Sequence, residues 1–170
     1  MKISSHQKGF TLVEMVLYVS ICSILLLSLS MFLSFLLSAR VRSQAITEVN
    51  QQGLQVMNIV TQTIRNGRSI QIPGTGVSST SLAITTGYPL LNPTIFDLSS
   101  TTIRIKEGGS IAIALTNSRI RASSLLFQNV SSASSSEKII RISFTLDAIN
   151  NSGRAEYSFT KSFSGSATLR

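Results

Sequence analysis

The chain has 170 residues, of which only 13% are charged, and 15 Lys and Arg against 7 Asp and Glu give it a formal net charge of +8. A mean hydropathy of +0.30 is too high for an ordinary soluble domain unless the apolar residues are concentrated in one segment. The basic residues are spread singly and form no basic run, which disfavours a nucleic-acid-binding protein.

The apolar residues are concentrated between Phe10 and Leu37, where Glu14 is the single charged residue. As a helix this segment would extend roughly 42 Å, which is more than the ~30 Å hydrocarbon core of a bilayer. The polar leader, residues 1–9, is not followed by the small-residue cleavage pattern of a secretory signal peptide. We therefore expect a retained single span in the cytoplasmic membrane. We expect a cytoplasmic N-terminus, since long C-terminal segments are translocated largely regardless of their charge.

After Leu37 the apolar residues recur every three or four positions and polar residues lie between them, which predicts an amphipathic helix. The apolar positions are Val41, Ala45, Val49, Gly53, Val56, Val60 and Ile64. No proline interrupts the segment from Phe10 to Asn66, and Asn66-Gly67 is expected to end the helix in the left-handed conformation. The sequence therefore predicts one helix with an apolar half, residues 10–37, and an amphipathic half, residues 38–66.

Beyond the helix the apolar period changes to two, which predicts strands in a β-rich head of residues 67–170. The clearest strands are expected at Ile103–Lys106, Ile111–Leu115, Ile140–Asp147 and Tyr157–Phe159, with turn residues between them. The segment Gly67–Pro93 is predicted to be a long irregular connection with one short strand, Ser81–Thr86. The expected fold class is α+β, with a long N-terminal helix packed on a C-terminal antiparallel β-sheet.

The residues Lys8-Gly9-Phe10-Thr11-Leu12-Val13-Glu14 resemble the signal of type IV prepilins. The resemblance implies that a prepilin peptidase removes the leader by cutting between Gly9 and Phe10, and that Phe10 is then N-methylated. It also implies that Glu14 meets the N-terminal ammonium of a neighbouring subunit and sets the axial register of a filament. A partner for Glu14 is expected on physical grounds too, because an ionisable side chain in an apolar span costs roughly 3 kcal/mol.

The predicted arrangement of spanning helix, amphipathic continuation and antiparallel sheet also resembles the pilins. The later part is most similar to J-type minor pseudopilins of type II secretion and to related type IV minor pilins, in Thr63–Ile70, Ser81–Thr85, Leu115–Ile120, Leu125–Phe127 and Ile139–Leu146. The resemblance implies a structural subunit in the tip or initiation complex of a cell-surface or periplasmic filament. Its implied partners are other pilin-like subunits, which it meets through the N-terminal helix, an assembly ATPase and a platform protein.

Two other classes of function agree less well with the sequence. A membrane-anchored DNA-uptake receptor would use Arg104, Lys106, Arg119 and Arg121 as phosphate contacts, although no aromatic ladder accompanies them. An enzyme is disfavoured, because the only histidine lies in the leader, the only cysteine lies in the span, and no nucleophile and base can be paired. The sequence predicts no metal and no nucleotide cofactor.

Overall fold

A computed structural model of the chain describes residues 9–132, 137–150, 153 and 158–169. The predicted leader, apart from Gly9, and the Tyr157 position of the last predicted strand lie outside the described residues. The chain forms two compact units, Met1–Arg40 and Val41–Arg170.

Helix α1, Leu12–Arg65, begins in the first unit. The side chain of Thr11 caps it, because its Oγ1 accepts a hydrogen bond from the backbone N–H of Glu14 at 3.3 Å. The carbonyl of Thr11 accepts the first helical bond, from the N–H of Met15 at 3.2 Å. Within the described residues, α1 is long enough and apolar enough to cross a membrane. None of its most apolar stretch is buried.

In the second unit, one face of α1 contributes to the core. The predicted apolar stripe is confirmed for its last five positions, which are all buried: Val49, Gly53, Val56, Val60 and Ile64. Gly53 permits the closest approach, because a Cβ at this position would lie only 2.1 Å from Cζ of Phe163. The helix therefore packs against the head through a glycine contact and a row of β-branched side chains.

The helix ends at Arg65, as the sequence indicates to within one residue, but the predicted cause is wrong. Neither Asn66 nor Gly67 has a positive φ, so the helix is not ended by a left-handed residue. Gly67 instead begins a strand, and a Cβ there would lie 2.6 Å from Cγ2 of Ile84 and 2.8 Å from Cδ1 of Leu169. Glycine is required at this position for close packing.

Nine strands follow in chain order within the described residues. They are β1 Gly67–Ile72, β2 Ser78–Ser79, β3 Leu82–Thr86, β4 Thr94–Ser99, β5 Thr102–Glu107, β6 Ile113–Ala114, β7 Ile120–Asn129, β8 Ile139–Ala148 and β9 Thr160–Thr168. The segment Gly67–Pro93 is thus more regular than predicted, because it contains β1 and β2 besides β3. The strand predicted at Ile111–Leu115 is reduced to the two residues of β6.

The strands form two antiparallel sheets in the described part of the chain, in the orders β1-β3-β4-β5-β6 and β2-β7-β8-β9. The α+β class and the antiparallel pairing are confirmed, with two sheets in place of the single predicted sheet. In the second sheet Phe144 on β8 pairs with Phe163 on β9, and their rings stack with centroids 5.3 Å apart. The amphipathic part of α1 packs on this sheet around Phe163.

Candidate processing and assembly site at the helix N-terminus

The bond between Gly9 and Phe10 lies in exposed backbone just before α1. Neither residue has regular secondary structure, and the helix begins two residues later, at Leu12. The Phe10 side chain is 71% exposed, and a Cβ at Gly9 would meet no atom within 4 Å. Exposed, non-helical backbone next to a small residue is the kind of segment that a peptidase can bind and cut.

Glu14 lies in the first turn of the helix, three residues after its cap. A carboxylate at this position is favoured by the positive end of the helix dipole. The Thr11-x-x-Glu14 spacing is that of a capping box, and the Thr11 half of the box is formed. The Glu14 side chain points elsewhere, because its Oε1 accepts a hydrogen bond from the hydroxyl of Tyr18 at 3.2 Å.

Phe10, Glu14 and Tyr18 follow one another at four-residue spacing, so the side chains of Glu14 and Tyr18 lie on one face of the helix. The Phe10 and Tyr18 rings also meet, with centroids 6.4 Å apart and planes at 76°, which is an edge-to-face contact. The sequence motif points to Phe10 and Glu14 but not to Tyr18. The spacing from Glu14 could have identified it, since residues four apart on a helix are neighbours.

The Glu14 carboxylate has no cationic partner among the described residues. Within the same part of the chain, Tyr18 is the one side chain that donates a hydrogen bond to it, and only Oε1 is used. In water such a carboxylate would be solvated, but α1 exposes an apolar surface on all sides here. In a lipid environment the carboxylate therefore has one oxygen available for a cation.

A second feature of the same turns is a shallow apolar groove along the helix. It is lined by Leu12, Met15, Val16, Val19 and Ser20. These positions repeat every three or four residues and so form one stripe. A stripe of this kind offers a surface for another apolar helix, with Ser20 as the small residue that permits close approach.

The basic residues of the alternative DNA-binding hypothesis do not form one uncompensated patch. Arg104 and Lys106 lie on β5 of the first sheet, whereas Arg121 lies on β7 of the second. Arg104 makes two hydrogen bonds to the carboxylate of Asp97, at 2.8 and 2.9 Å. These bonds, together with the negative charge of Asp97, raise the pKa of Arg104 above its ordinary value. In the described part of the chain there is no cluster of three His, Cys, Asp or Glu residues that could hold a metal ion.

Comparison with known families identifies the N-terminal segment. Residues 4–30 match the family model described as the prokaryotic N-terminal methylation motif. Neither the comparison with curated proteins nor that with solved structures found a match. The motif implies processing by a prepilin peptidase and assembly with other pilin subunits, and the apolar helix that follows it supports anchoring in a membrane. The chain therefore carries a type IV pilin-like prepilin signal that runs into helix α1.

Proposed function

We propose that this chain is a minor pilin or pseudopilin, a structural subunit of a type IV pilus or a type II secretion pseudopilus that acts in its tip or initiation complex. The observation that carries the proposal is the methylation motif at residues 4–30. The motif runs into an apolar helix segment whose Glu14 has no cationic partner among the described residues. The proposed segments are a leader of residues 1–9, a membrane and filament-core half of residues 10–37, an amphipathic half of residues 38–66 and a head of residues 67–170.

In the first proposed step, a prepilin peptidase hydrolyses the peptide bond between Gly9 and Phe10 at the cytoplasmic surface. The leader leaves with a new carboxylate on Gly9, and Phe10 gains a free amine. A separate methyl donor then transfers a methyl group to this amine, and the hydrogen that it replaces leaves as a proton. The leader takes Lys2 and Lys8 with it, so the formal net charge falls from +8 to +6. The span remains in the membrane, because the cut lies before its first apolar residue.

In the second proposed step, Glu14 pairs with the N-terminal ammonium of a neighbouring subunit. Processing leaves each subunit with one cation at Phe10, just before α1, and one anion at Glu14, in the first turn of α1. In a low-dielectric filament core each charge is costly unless it is paired, and at 4 Å such a pair contributes about 4 kcal/mol at an effective dielectric constant of 20. Pairing between the same two positions of successive subunits fixes their axial register.

A minor subunit is favoured over a major pilin by the helix itself. Many major pilins carry a helix-breaking proline in the span, whereas α1 runs from Leu12 to Arg65 without a proline. The motif favours a structural subunit over an enzyme. An assembly ATPase and a platform protein would extract the subunit from the cytoplasmic membrane into a periplasmic or cell-surface filament.

The test is Glu14→Ala in the native host, with Glu107→Ala as the matched loss of a carboxylate from the head. Because the mutation removes one charge of the proposed pair, we expect Glu14→Ala to be cleaved normally but to fall more than tenfold in the filament fraction relative to the membrane fraction. Glu107→Ala should be incorporated like the wild type. Normal incorporation of Glu14→Ala would contradict the proposal.

A further inference from the structure

The hydrogen bond from Tyr18 restricts the orientation of the Glu14 carboxylate. Tyr18 lies one turn beyond Glu14 toward the C-terminus and donates its hydroxyl to Oε1. Phe10, whose amine is freed in the proposed processing step, lies one turn before Glu14. The hydroxyl therefore holds Oε1 of Glu14, and Oε2 has no hydrogen-bond partner among the described residues.

We propose that Tyr18 is a positioning residue, which orients the Glu14 carboxylate for the N-terminal ammonium of a neighbouring subunit. This inference rests on the proposed pairing of Glu14 and assigns the contact that holds one oxygen of the carboxylate in place before the neighbour arrives. An ionised carboxylate has about four lone-pair sites, so the bond to Oε1 leaves Oε2 able to accept from an incoming ammonium. Tyr18 therefore supports the intermolecular pair without competing for the same oxygen.

The benefit of this arrangement is preorganisation. A free glutamate side chain samples several rotamers, and fixing it at the moment of assembly costs conformational entropy. A side chain that Tyr18 already holds loses less freedom when the neighbour arrives. The arrangement also satisfies Tyr18, whose hydroxyl would otherwise be without a hydrogen-bond partner in lipid.

The ring and the hydroxyl of Tyr18 make separable contacts. The ring packs edge-to-face on Phe10, and the hydroxyl bonds to Glu14. Tyr18→Phe keeps the ring contact and removes only the hydroxyl, so it isolates the hydrogen bond. Ser23→Ala is the matched control, because Ser23 is a hydroxyl residue of the same span that donates to the carbonyl of Val19 at 2.7 Å and does not touch Glu14.

The experiment uses the full processed chain and two measurements. The first is the ¹³C signal of the Glu14 carboxyl in detergent micelles, assigned by its absence from Glu14→Gln. The second is the fraction of each variant that enters filaments in the native host, after mass spectrometry has confirmed cleavage before Phe10. A purely structural role of Tyr18 would not move the carboxyl signal.

We expect Tyr18→Phe to shift the Glu14 signal and to lower incorporation about tenfold, which is the size of effect expected for one hydrogen bond to a charged group. Ser23→Ala should change neither measurement. An unmoved signal in Tyr18→Phe, unchanged incorporation of that variant, or an equal loss in Ser23→Ala would overturn the inference. If Glu14→Gln falls in incorporation and Tyr18→Phe does not, the positioning role fails alone. If Glu14→Gln is incorporated normally, the proposed pairing itself fails.

Discussion

The close contact between Gly53 and Phe163 predicts that a larger residue at position 53 destabilises the second unit. An alanine Cβ at position 53 would lie 2.1 to 2.4 Å from three atoms of the Phe163 ring, where about 3.5 Å or more is needed. The ring cannot retreat freely, because it is stacked on Phe144 at 5.3 Å and only 8% of Phe163 is exposed. Gly53→Ala therefore forces the helix and β9 apart.

Two opposing terms set the size of the effect. Overpacking of a well-packed core costs up to about 3 kcal/mol, and the higher helix propensity of alanine returns about 1 kcal/mol. We expect Gly53→Ala to lower the free energy of unfolding of the second unit by about 2 kcal/mol. The assay is a urea titration in mild detergent, followed by far-ultraviolet circular dichroism.

The matched control is Gly109→Ala, where a Cβ would meet no atom within 4 Å and the backbone is not left-handed. This variant should unfold at the same urea concentration as the wild type. If Gly53→Ala were as stable as the wild type or more stable, helix propensity would outweigh the clash. The inferred seating of Phe163 on the helix would then be wrong.

Two further substitutions test the packing of the head. Asn129 is 3% exposed, and its side chain donates a hydrogen bond to the carbonyl of Pro73 and accepts one from the N–H of Ser131. Asn129→Ala should therefore lower the free energy of unfolding by about 2 kcal/mol in the same urea titration. An unchanged midpoint would show that these two hydrogen bonds do not stabilise the head. Gly108 and Gly76 both have positive φ, but only at Gly108 would a Cβ approach backbone, 2.2 Å from the carbonyl oxygen of Leu90. Gly76→Ala should therefore lower the free energy of unfolding by about 1 to 2 kcal/mol from backbone strain alone, and Gly108→Ala should lower it distinctly more. The unfolding midpoints of the two variants compare these losses. Equal losses would contradict the close approach of Gly108 to Leu90.

The sequence predicts the helix well because two strong signals agree over its length. The apolar span cannot be mistaken for a soluble surface, and the stripe ending in Val56, Val60 and Ile64 repeats at the helical period and is buried. The sequence also locates the end of the helix, but the cause that it suggests, a left-handed residue, is wrong. A glycine after a helix signals either a left-handed residue or a tight contact, and only the position of Ile84 shows that Gly67 serves the second purpose.

The strands were predicted where side chains alternate regularly and missed where they do not. On β8 the alternation from Ile140 to Leu146 is clean, and the strand was predicted nearly to its ends. On β7 the register shifts between Ser123 and Leu126, and Ser124 has a φ of +54°, so the period of two is broken inside the strand. The division into two sheets depends on long-range pairing, which no local pattern encodes.

At the candidate site the residue types were readable from the sequence, but the contacts were not. The motif from Lys8 to Glu14 was sufficient to identify the signal that the family model matches. The hydrogen bond from Tyr18 depends on side-chain rotamers, since four-residue spacing permits the contact without requiring it. The cleavage site and the roles of Phe10 and Glu14 stay predictions.

The most direct test of the account is the intact mass and N-terminal sequence of the protein from its native membrane, with and without the prepilin peptidase. We expect the chain to begin at N-methylated Phe10 when the peptidase is present and at Met1 when it is absent. A chain that begins at Met1 in both strains would contradict processing as a pilin-like subunit. It would leave a membrane-anchored domain whose helix is never released into a filament.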